Sequence, residues 1–118
     1  MNATARAARH HTRQAIRTNR ARRTATRAVA TGLATAADHL TAAGIEPASA
    51  KRFAGAFSRG VEPTATTAGR IKLRGRVTKR VTVKLYDLPA FVARALVYRP
   101  KDRTAAATFE RLAYRLAA

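Results

Sequence analysis

Few side chains in this sequence are able to do covalent or acid–base chemistry, and their spacing does not assemble a site. Cysteine is absent, which removes thiol chemistry, disulfide frameworks and thiolate zinc sites together. The histidines are His10, His11 and His39, the last beside Asp38. Adjacent positions on a helix point to different faces, so Asp38 is not placed to orient the His39 ring. Ser49 and Ser58 are the only serines, and neither sits in a nucleophile motif. His10-His11 lacks the further ligands that a metal site needs, and no glycine-rich loop precedes a helix to cradle a phosphate. The sequence therefore predicts a non-catalytic protein with no metal, no cofactor and no small-molecule substrate.

What the chain has in quantity is positive charge. Its 118 residues hold 24 Lys plus Arg against 6 Asp plus Glu, a formal net charge of +18. A GC-rich genome raises Arg and Ala together, but it does not remove acids, so the scarcity of Asp and Glu is the informative part. So much charge on a short chain repels itself unless a polyanion neutralises it. Phosphates accept Arg bidentately, and binding to them releases condensed counterions. Nucleic acid is the expected partner.

The charge is also unevenly placed. Residues 1–30 hold Arg6, Arg9, Arg13, Arg17, Arg20, Arg22, Arg23 and Arg27 and no acid. Residues 63–86 hold Arg70, Lys72, Arg74, Arg76, Lys79, Arg80 and Lys84, again without an acid. Between them, Lys51, Arg52 and Arg59 are balanced by Asp38, Glu46 and Glu62. These two cationic blocks are the candidate nucleic-acid-binding residues, separated by a neutral segment.

The elements that position them follow from periodicity. Leu, Ile, Val and Phe total only 22 residues, while Ala alone accounts for 29, so the core must be small and local. Residues 1–27 carry one large aliphatic besides Met1, Ile16. This stretch has too little apolar surface to offset its ordering entropy alone, so a flexible basic arm is expected, disordered when isolated. It has no Pro or Gly, and Arg6, Arg9, Arg13, Arg17 and Arg20 recur at helical spacing, so an anion can induce a helix with arginines along one face. A small α+β domain is expected over residues 28–118. Val29, Leu33, Ala36, Ala37, Leu40 and Ala43 predict a helix over 28–43 that Gly44 stops. Pro47 opens a second over 47–58, with Phe53 and Phe57 as core, and Gly60 and Pro63 end it.

Residues 64–86 alternate with period two. Ile71, Leu73, Val81, Val83 and Leu85 are odd-numbered; Arg70, Lys72, Arg74, Arg80 and Lys84 are even-numbered. Partners across an antiparallel pair share a face, so a hairpin of even register separates charge from apolar side chains. A five-residue loop, 75–79, pairs Leu73 with Val81 and Ile71 with Val83; a three-residue loop is also allowed by parity but sets Leu73 against Lys79. The longer loop is expected, with the apolar side resting on the following helices, since a two-stranded ribbon needs support. Asp87 and Asp102 cap those helices, over 88–98 and 103–116. The expected fold class is α+β, in the order α-α-β-β-α-α behind the basic arm.

Arg74-Gly75-Arg76 resembles the Arg-Gly-Arg core of an AT-hook, without the prolines that usually flank it. The resemblance implies two arginines lying in a narrow minor groove, here carried on a hairpin tip. Helix, turn, helix and hairpin in that order also resemble a winged helix-turn-helix. Such domains more often carry an added N-terminal helix than two C-terminal ones, and neither resemblance transfers a residue role.

The function expected is nucleic-acid binding through phosphates, by the hairpin and the arm. Tyr86 is the one aromatic on the basic face, so duplex DNA is favoured over RNA and over stacking on single strands. An RNA- or ribosome-associated protein is the alternative, as is an interaction protein docking an acidic partner or an anionic membrane surface. A homodimer along helices 88–98 and 103–116 is compatible with so small a core. Membrane insertion is not expected, since no run of 18 apolar residues occurs. The expected location is a bacterial cytoplasm, at the nucleoid. The Arg-rich start suggests organellar import as a lesser alternative, against which stands its missing apolar face.

Overall fold

Alanine and arginine are strong helix formers, and the first thirty residues contain neither Pro nor Gly to interrupt them. In the structure, a computed structural model that describes residues 3–118, they form one long helix, α1 (Ala3–Ala30). It is followed by α2 (Ala36–Ala42), α3 (Pro47–Phe57), a hairpin of β1 (Ala65–Lys72) and β2 (Thr78–Leu85), α4 (Leu88–Ala95) and α5 (Arg103–Ala117). The fold is α+β, with three helices, an antiparallel hairpin and two more helices.

The described part of the basic arm is helical, and α1 runs through position 27 without a break. Its C-terminal half is anchored. Ala25 is buried, and Thr18, Ala21, Ala28 and Val29 are half-buried on the same side. From Ala7 to Arg17 every residue is exposed, so this stretch projects as a solvated rod about 16 Å long.

A single helix over 28–43 does not form. Gly32 takes φ +102°, a conformation open to glycine and closed to most side chains, and it ends α1. Thr35 then caps α2, its side chain accepting from the Asp38 amide at 3.2 Å. The extended link between the two helices has a role: Ala34 pairs with Tyr86 just beyond β2, exchanging hydrogen bonds of 3.1 and 2.8 Å. The His39 Nε2 donates to the Tyr86 carbonyl at 2.7 Å, and its ring stacks on Phe91 at 4.9 Å. The root of α1 and the root of the hairpin are therefore fastened at one buried joint.

The later helices begin where their caps predict. Asp87 accepts from the Ala90 amide at 2.9 Å and Asp102 from the Thr104 amide at 3.1 Å. Their apolar stripes close the core. Phe57 lies 5.6 Å from Phe91, 5.3 Å from Tyr98 and 6.1 Å from Phe109, ring centre to ring centre, over a floor of Leu40, Ile45 and Leu112. The inward residues of α4 and α5 thus pack within the chain, while Leu88, Leu96, Val97 and Tyr114 stay exposed.

The hairpin departs from expectation in two respects. Its register pairs Ala65 with Leu85 and Ile71 with Lys79. The Leu73 amide donates to Val77 at 2.8 Å, so the turn closes around Arg74-Gly75-Arg76 rather than over 75–79. Gly75 takes φ +67° there, and the tight bend is built on the one residue that accepts it without strain. The parity is as predicted; the pairing is slipped by four residues. Nor does the apolar side rest on the helices. Apart from Tyr86, which follows β2, no hairpin residue joins the core, and Ile71, Leu73 and Val77 are exposed. The ribbon projects about 26 Å, and with α1 it raises the radius of gyration to 16.3 Å, against about 13.5 Å for a compact chain of this length.

Candidate nucleic-acid interface

Period-two alternation in an even register places Arg70, Lys72, Arg80 and Lys84 on one face of the ribbon. All four are exposed, and the intervening positions on that face are Thr66, Ala68, Thr78 and Thr82. Small and hydroxylated neighbours leave the long basic side chains room to reach outward. Arg70 stands directly opposite Arg80. Like charges in that position destabilise a ladder, and the hairpin contains no carboxylate to offset them. An anion lying along the face removes that repulsion.

Arg74 and Arg76 flank Gly75 at the tip and are exposed, so two guanidinium groups lead the projection. Lys79 does not join the cationic face. Its odd number sets it opposite Ile71 on the other side, where it reaches only a ligand that wraps the tip.

Along α1 the arginines follow from helical geometry. At about 100° per residue, Arg6, Arg9, Arg13, Arg17, Arg20, Arg23 and Arg27 fall within a sector of roughly 120° that excludes the packed side. Arg22 lies outside it, and all eight are exposed. Toward the root of the helix, Arg17 and Arg20 line a groove shared with Asp38 and Thr41 of α2 and Lys51 of α3. The arm and the domain therefore meet at a cationic groove, with Asp38 as its one acid. In the sequence, Lys51 and Arg52 belong to the charge-balanced segment between the two cationic blocks. The structure puts Lys51 next to the arm's arginines and leaves Ala48, Lys51, Arg52, Gly55 and Ala56 exposed along α3. The signal was present in the sequence, since all five lie off the Phe53/Phe57 stripe.

Other basic residues have structural work. The Arg94 Nε donates to the Phe57 carbonyl at 2.7 Å, closing the end of α3, and its guanidinium lies over the Tyr98 ring at 5.3 Å. Arg99 donates to the Tyr98 carbonyl at 2.7 Å. Arg94 and Arg99 thus fasten backbone carbonyls of the fold, whereas Arg70, Lys72, Arg80 and Lys84 stand exposed on one face of the hairpin.

Comparison of the chain with protein-family models, with curated proteins and with solved structures returns no match. Among the described residues, no helix is long and apolar enough to cross a membrane.

Proposed function

We propose that this is a non-catalytic DNA-binding protein that grips the phosphate backbone of a duplex at two places, the projecting hairpin and the arginine face of α1. The observation that carries the reading is the cationic hairpin face, where Arg70 opposes Arg80 with no acid in the element. Such a surface is unfavourable alone and favourable against phosphates. Element order adds support: α1 precedes the α2–turn–α3 unit and the hairpin follows, as in a winged helix-turn-helix. In such domains the second helix of the unit lies in a major groove; on α3 of this chain, Lys51 and Arg52 are exposed. The tip Arg74-Gly75-Arg76 then reaches the neighbouring minor groove, and α1 follows the backbone. A bacterial nucleoid is the setting that fits this activity, and the duplex is preferred because no exposed aromatic platform accompanies the basic face.

The test is binding of the purified chain to a fluorescent 30-bp duplex, with structured RNA and anionic vesicles as competitors. Duplex DNA is expected to compete best, and Arg74→Ala with Arg76→Ala is expected to weaken binding by at least about tenfold. Preferential displacement by RNA, or by vesicles, would move the assignment to that partner.

A further inference from the structure

The hairpin carries a feature that phosphate binding does not use. Ile71, Leu73 and Val77 lie on its odd-numbered face and are 46%, 45% and 59% exposed. Nearer the base the same face closes on itself. Val81, Val83 and Leu85 are half-buried, and Val83 folds over Gly69, where a Cβ would come within 2.5 Å of its Cγ2. At the tip there is no such cover. Leu73 and Val77 are joined by the hydrogen bond that closes the turn, so two aliphatic side chains bracket Arg74-Gly75-Arg76.

The charge around this patch selects its occupant. A second copy of the chain would bring Lys79, Arg74 and Arg76 against their own counterparts. The partner must be anionic outside and apolar within reach of the tip, and it must accept a narrow wedge rather than a broad face. A DNA base step viewed from the minor groove has that chemistry: phosphates line the rim and the flat faces of the bases lie between. Proteins that use this route insert aliphatic side chains between base pairs and kink the duplex by about 20–90°.

We infer that the hairpin tip is a DNA-bending wedge, in which Arg74 and Arg76 hold the minor groove while Leu73 and Val77 pry open one base step. The inference rests on the DNA-binding reading and adds a mechanical activity to it. Pyrimidine–purine steps, which unstack most easily, are the favoured insertion points.

The experiment uses the full chain and a 30-bp duplex with a central TA step, end-labelled for energy transfer and carrying 2-aminopurine at that step. Binding is expected to bring the ends closer and to raise 2-aminopurine fluorescence. The variant Leu73→Ala with Val77→Ala, at two exposed positions, is expected to keep the parent's circular dichroism and to bind within about tenfold of the parent while leaving the duplex straight, because the lost contacts are offset by the avoided bending energy. Arg74→Ala with Arg76→Ala is expected to lose affinity instead. A parent that binds without bending, or an aliphatic variant that bends as much as the parent, overturns the wedge and leaves DNA binding standing. An aliphatic variant that loses binding to phosphatidylserine vesicles but bends DNA normally assigns the patch to a membrane and also overturns it. Failure of the parent to bind the duplex at all overturns the functional reading itself.

Discussion

Arg70 and Arg80 face each other across the ladder at a position where a threonine or a residue of opposite charge would hold the strands together better. Their coexistence ties stability to binding in opposite directions. Arg80→Thr is expected to stabilise the unliganded protein by a few tenths of a kcal/mol, read as a small rise in Tm. The same substitution should weaken duplex binding and lower the slope of log K against log salt by about 0.9, the share of one phosphate contact. A change that improves the fold while impairing binding identifies a residue placed for its ligand. If Arg80→Thr left binding and its salt slope unchanged, the face would be a solvated surface.

Among the elements, those whose limits are set within a few residues were legible in the sequence. Pro47 at the start of α3, and Asp87 and Asp102 before α4 and α5, act through side chains or rings that meet the backbone up to three positions away, and the helices begin there. The hairpin's parity was equally local, because side chains alternate strictly along a strand. Its register was not. Any even slip preserves the separation of charge from apolar side chains, and pairing Leu73 with Val81 was preferred on the premise that the apolar face is buried. At the tip it is exposed, so turn geometry at Gly75 decided instead. The break at Gly32 was hidden by apolar spacing that continues across it from Val29 to Leu40. Its purpose, the pairing of Ala34 with Tyr86, involves a partner more than fifty positions away that no local pattern reveals. Gly32→Ala is accordingly expected to cost about 1–2 kcal/mol in chemical denaturation, far more than an alanine in a helix would. Deleting residues 1–17 is expected to leave the fold intact, since Ala21, Ala25 and Val29 retain their packing, while reducing duplex affinity and its salt dependence. Deleting through residue 30 removes that packing and should destabilise the domain. Equal stability of the two truncations would show that α1 contributes nothing to the core.

As a whole, the molecule is a small aromatic core from which two cationic projections extend. Both are rooted at the joint of Ala34, Tyr86 and His39, so the α1 root and the hairpin base have a defined relation at the protein's surface. Its net charge of +18 is concentrated in those projections, and a surface of this kind binds a polyanion mainly by releasing its counterions. The most direct measurement is the affinity for a 30-bp duplex, titrated by anisotropy at a series of salt concentrations from about 50 to 200 mM. Engagement of about six to ten phosphates predicts a slope of log K against log salt of about −5 to −9, a loss of roughly a thousandfold or more across that range. An affinity that barely changes with salt would contradict the account.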